Sequence, residues 1–166
     1  AQSFLLAPYD LEAAQLSQVF GALQAHRIDY ADLYFQYTRS EGWNLEEGIV
    51  KSGSYSIDSG VGVRAVSGEK TAFAYSDEIS MPALQDAATA TRAIARAGQV
   101  RRVAVAGGGL EPPASLYQPL DPLASLPAEA KVAMLEKLER MCRALDPRIT
   151  QVMAHLGGEY EVVLIA

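Results

Sequence analysis

Apolar residues recur three and four apart between residues 10 and 27. Leu16, Val19, Phe20 and Leu23 share one side of a predicted helix, with Asp10 as its N-cap. From residue 32 to 39 the period drops to two. Leu33, Phe35 and Tyr37 then fall on one face of a strand, and Tyr34, Gln36 and Thr38 on the other. Glu41-Gly42 reads as a turn. Trp43 and Leu45 begin a second strand, which Gly48 interrupts as a bulge or turn would. Residues 49–57 form a weaker, serine-rich strand, and a glycine-punctuated hairpin follows over 60–76. Helical spacing returns over residues 80–97. Ser80 can cap that helix, Pro82 sits in its first turn, and Leu84, Ala87, Ala88, Thr91, Ile94 and Ala95 make its inner stripe. Most of these are small, so the helix can lie close to whatever it packs on.

Residues 98–125 break every period with Gly107-Gly108-Gly109, Pro112-Pro113, Pro119 and Pro122. A domain boundary is placed here. A third helix is predicted over 126–145, with Val132, Leu135, Leu138, Met141 and Cys142 on one side and Pro147 beyond its end. Two strands close the chain, 149–156 and 160–166, joined through Gly157-Gly158. The predicted class is α+β: an antiparallel sheet with two covering helices over residues 1–98, a linker over 99–114, and the start of a second small α+β unit over 115–166. The β-prone run ending at Ala166 has no following element to pair with, so a fragment cut inside its second domain is expected.

The hairpin is the most distinctive stretch. If Gly68-Glu69 is a two-residue loop, Ser67 faces Lys70 and the pairing runs back in step. Val61, Val63, Ala65, Ala72 and Ala74 then share an apolar face. Gly62, Arg64, Phe73 and Tyr75 share the other, with Gly62 opposite Tyr75 and Arg64 opposite Phe73. An arginine between two rings can stack and still offer its fork to a carboxylate. Two readings of this face stand side by side. It lines a groove and contacts a peptide or partner chain through Gly62, Arg64, Phe73 and Tyr75. Alternatively, Arg64 pairs with a local acid such as Asp58 or Asp77 and fixes the sheet.

Composition narrows the function classes. The net charge of −6 gives no basic face for nucleic acid or an anionic membrane. No apolar run approaches the ~20 residues of a membrane-spanning helix. One cysteine, Cys142, rules out an internal disulfide and suits a reducing, cytoplasmic setting. Catalytic signatures are missing: the sequence contains no HExxH, CxxC or GxSxG. His26 reads as a helix C-terminal residue and His155 as a satisfied strand histidine. Glu46-Glu47 and the Glu159/Glu161 pair read as solvated strand charges, and the triple glycine lacks the lysine of a phosphate loop.

Several stretches resemble one family. They are residues 29–36 (DYADLYFQ), 51–58 (KSGSYSID), 60–65 (GVGVRA), 67–75 (SGEKTAFAY), 117–123 (YQPLDPL) and 158–166 (GEYEVVLIA). In order, they resemble the N-terminal region of the TldD members of the TldD/PmbA family, also labelled "modulator of DNA gyrase". The resemblance implies a zinc-dependent metalloprotease that trims unfolded peptides and forms a homodimer or a heterodimer with a PmbA/TldE-like paralogue. The family's metal motif, HExxxH with a distant cysteine, lies downstream of the matched region. No catalytic or metal residue is therefore carried over, and zinc is expected only in a C-terminal part absent here. The matched region is implied to be an α+β wall that helps form the dimer and enclose the peptide chamber. The gyrase label needs no DNA contact, because a peptidase acting on a gyrase-directed toxin or antitoxin accounts for it. Two rivals are a standalone adaptor binding a protein partner through the Arg64/Tyr75 face and a purely structural dimerisation domain.

Overall fold

The computed structural model describes residues 1–24, 28–95 and 120–166. His26 and the expected linker over 99–114 lie outside the described residues. The described elements are α1 (Gln2–Leu5), a 3-10 turn (Ala7–Tyr9), α2 (Ala13–Gln24), β1 (Tyr30–Glu46), β2 (Ile49–Ser67), β3 (Lys70–Ser76), α3 (Met81–Ala95), α4 (Ala128–Leu145) and β4 (Met153–Ile165). The strands join in one antiparallel sheet in the order β3-β2-β1-β4, so the class is α+β.

Chain contacts divide these residues into two compact units. Of the described residues, the first unit holds 1–24, 28–37, 58–95 and 162–166, and the second holds 38–57 and 120–161. In the first, period-two alternation turns Leu33 and Phe35 of β1 and Val61, Val63 and Ala65 of β2 inward. Leu16, Val19 and Leu23 of α2 and Leu84, Ala87 and Ala88 of α3 cover them. Thr91 is fully buried, and its hydroxyl donates to the Val63 carbonyl at 3.3 Å, tying α3 down to β2. Leu33 and Ala166 exchange both backbone hydrogen bonds, which fixes the end of β4 against β1. Ser80 caps α3 as expected, accepting from the Ala83 N–H at 3.3 Å.

Asp10 does not cap α2. It takes a left-handed conformation (φ 53°) and closes the 3-10 turn. The cap position belongs to Glu12, whose carbonyl accepts from Gln15 and Leu16. The Gln15 side chain reaches back to the Glu12 N–H at 2.7 Å, half of a capping box.

In the second unit two of the three expected glycine turns are not turns, and the third, at Gly48, is. β1 runs straight through Glu41-Gly42, and β4 through Gly157-Gly158. These glycines serve close packing instead. A Cβ on Gly42 would lie 3.0 Å from the Ser54 hydroxyl, and one on Gly158 would lie 2.6 Å from Leu123 Cδ2. Only Gly48 turns the chain. With Glu47 (φ 53°) and Gly48 (φ 75°) both left-handed, the β1–β2 loop has the two positive φ values of a type I′ turn. β2 is also one strand from Ile49 to Ser67 rather than two.

The third helix departs most from expectation. Of its predicted inner stripe only Leu135 is fully buried, and Cys142 is half-buried. Lys131 and Glu139, one turn to either side of Leu135, share its buried face. Each is satisfied: Lys131 Nζ bonds Glu41 Oε1 at 2.5 Å and the Leu123 carbonyl at 2.7 Å, and Glu139 pairs with Arg143. Paired charge therefore holds a face that helical spacing alone assigns to apolar residues.

Candidate partner-contact face

The β2–β3 hairpin has the register its loop predicts. Ser67 pairs with Lys70, Arg64 with Phe73, and Gly62 with Tyr75. Within the loop only Gly68 has positive φ, at 59°. One face of the hairpin enters the core through Val61, Val63, Ala65 and Ala72. The opposite face keeps Phe73 54% and Tyr75 75% exposed.

Gly62 is where that outer face is shaped. A Cβ there would meet Phe73 Cε2 at 2.7 Å and Cζ at 2.8 Å, so the Phe73 ring lies in the space a side chain would fill. From that seat it stacks on Tyr75, with ring centroids 6.2 Å apart and an interplanar angle of 22°. The result is a small aromatic shelf on β3, an edge strand of the sheet.

Arg64 does not sit between Phe73 and Tyr75. Its guanidinium lies 5.4 Å from the Tyr30 ring centre and forks onto Asp32. Nε donates to both carboxylate oxygens at 3.1 Å and Nη2 to Oδ2. The Tyr30 hydroxyl donates to the same Oδ2 at 2.9 Å. The hydrogen bond and charge of Asp32 raise the Arg64 pKa further above its ordinary value, so it remains a cation. Its acid is thus Asp32, not Asp58 or Asp77. A sequence reading centred on the hairpin missed Asp32 because it lies on another strand. The signal available was the alternation Tyr30-Ala31-Asp32-Leu33, which turns an acid to the outer face beside a buried leucine.

This face offers contact chemistry, with no nucleophile set beside a base. Among the described residues no group of three or more His, Cys, Asp or Glu could hold a metal ion. His155, the only described histidine, has its Nδ1 2.8 Å from Asn44 Oδ1. A zinc site needs three or four such ligands converging, and the described residues do not fit one.

Residues 31–97 match the family model described as PmbA/TldA metallopeptidase domain 1, and residues 121–166 match the PmbA/TldA metallopeptidase central domain. A metalloprotease TldD homolog of Haemophilus influenzae is 45% identical over 97% of this chain and 33% of its own length. One from Buchnera aphidicola of Schizaphis graminum is 39% identical over 89% of the chain and 31% of its own length. The chain therefore spans about a third of the length of these curated relatives. Among solved structures, TldE from Thermococcus kodakarensis superposes with a TM-score of 0.61 at 15% identity, over 93% of this chain and 35% of that one. A candidate modulator of DNA gyrase from Bacteroides thetaiotaomicron gives 0.59, also at 15% identity, over 92% and 36%. At such identities these two likenesses speak to the fold.

Proposed function

The chain belongs to the PmbA/TldD metallopeptidase family, and we propose that its residues build a wall of the peptide chamber and part of the dimer contact of a longer zinc peptidase. Unfolded peptides are the proposed substrates, and a second copy or a TldE-like paralogue is the proposed partner. The structural likeness to a TldE is in keeping with that pairing. Cleavage belongs to residues outside this chain, which is inert alone. The proposed setting is the cytoplasm; among the described residues no helix is long and apolar enough to cross a membrane.

One observation carries the role assigned to the outer face. A hairpin whose inner side packs on the core through Val61, Val63, Ala65 and Ala72 presents two large rings to solvent on an edge strand. Rigid aromatics supply contact area at little entropic cost, which is how anchors at protein and peptide interfaces work. The test is the double substitution Phe73→Ala and Tyr75→Ala in the longer peptidase. A rise in KM for an unfolded peptide, or loss of the dimer by light scattering, is expected with zinc content unchanged. Unchanged KM, kcat and mass would refute the assignment.

A further inference from the structure

Strand β3 pairs with β2 on one side, and among the described residues no strand pairs with its other side. An edge of this kind presents a row of backbone N–H and C=O groups that a further strand can bond. Natural edges are blunted against such pairing by charges, prolines or bulges. The opposite edge strand, β4, carries Glu159 and Glu161 along its length. From Thr71 to Ser76, β3 has no charge and no proline, and its register with β2 runs without a bulge. Beside this edge lies a trough of about 420 Å³, lined by Ala74 and Ser76 of β3, Ala83, Asp86 and Ala87 of α3, and Glu78 between the two elements. Both acids are exposed, and neither has an ion-pair partner among the described residues.

We propose that β3 and this trough bind an extended cationic peptide as an added strand. The proposal deepens, and rests on, the reading above that the hairpin contacts peptide. Main-chain bonds to the β3 edge supply affinity without regard to sequence, and the side chains supply the selection. Along an added strand, successive side chains alternate between the two faces of the sheet. Those on one face meet the shelf of Phe73 and Tyr75. Those on the other hang over the trough, where lysine or arginine meets Glu78 and Asp86. The site therefore selects basic residues at every second position with apolar ones between. A second copy of β3 fits less well. It would bring another Glu78 and Asp86 to the seam, whereas Lys70 and Arg92, the only cations of β3 and α3, already have partners of their own.

The test is amide hydrogen exchange of the longer peptidase, read by mass spectrometry over residues 70–76. The probe is a peptide of about seven residues, the length of β3, alternating lysine with leucine. It should slow exchange of that segment at least roughly fivefold. The same peptide with glutamate in place of lysine should not. Glu78→Lys with Asp86→Lys, at two exposed positions, should raise the peptide concentration needed roughly tenfold. N-methylating the peptide amides along one of its edges should abolish the slowing, and along the other should leave it. Exchange indifferent to the lysine peptide overturns the proposal. Slowing that is equal in the charge-reversed variant, or blind to N-methylation on either edge, overturns it too. Slowing that grows with protein concentration in the absence of peptide would place a second copy on the edge instead. Zinc content and peptide hydrolysis of the same sample keep the two claims apart. An active, zinc-loaded protein with an indifferent β3 sinks only the inference; an inactive, zinc-free one whose β3 is protected sinks only the peptidase reading.

Discussion

Two glycines of β2, two positions apart, carry different constraints. A Cβ on Gly60 would meet the Ser76 carbonyl oxygen at 2.7 Å, which is backbone held in the hairpin. A Cβ on Gly62 would meet the far end of the Phe73 ring, which is half exposed and can swing out. Gly60→Ala should therefore cost about 1–3 kcal/mol, as overpacking against a fixed group does. Gly62→Ala should cost less, while unseating Phe73 from Tyr75. Urea unfolding checks the first, and near-ultraviolet circular dichroism of the rings checks the second. The Arg64–Asp32 pair is asymmetric in a similar way, because the Asp32 side chain is 8% exposed and Arg64 46%. Removing the arginine strands a buried carboxylate with Tyr30 as its remaining donor among the described residues. Arg64→Met should accordingly be less stable than the double variant Arg64→Met with Asp32→Asn. The reverse order in urea midpoints would show that the ion pair carries no such penalty.

Among the elements, the turn ahead of α4 depends on one carboxylate. Burial works against the ionised form of Asp121, but bonds from the Arg39 side chain and the Ala124 and Leu123 N–H groups outweigh it. The carboxyl is held below its usual value of about 4. The sign follows: a folded-state pKa below the unfolded one adds stability above the unfolded value, and that stability is lost as pH falls through the folded value. Asp121→Asn should be less stable than the parent at pH 7, and the gap should close below about pH 4. A gap independent of pH would contradict the ionic account. The hairpin was legible in the sequence because its information is local: a two-residue loop at Gly68 fixes every pair from Ser67 back to Val61. The same locality explains the failures. Gly42, Gly157 and Gly158 look like turns until the neighbours they make room for, Ser54, His155 and Leu123, are brought beside them. Lys131 and Glu139 look like solvent-facing charges until Glu41 and Arg143 pair with them. The candidate face was half legible. Its aromatic shelf was foreseeable from alternation, whereas the acid that holds Arg64 lies 32 residues away on another strand.

At the scale of the molecule, two family domains are represented and the described residues bring no metal ligands together. In the proposed function this chain supplies shape and contact, and cleavage falls to residues of a longer protein. The most direct test is zinc content and hydrolysis of an unfolded peptide, measured on the 166-residue chain and on the longer polypeptide. No stoichiometric zinc and no hydrolysis are expected for the chain alone. About one zinc per polypeptide and steady hydrolysis are expected for the longer form. Stoichiometric zinc and turnover by the 166-residue chain itself would contradict the proposed function.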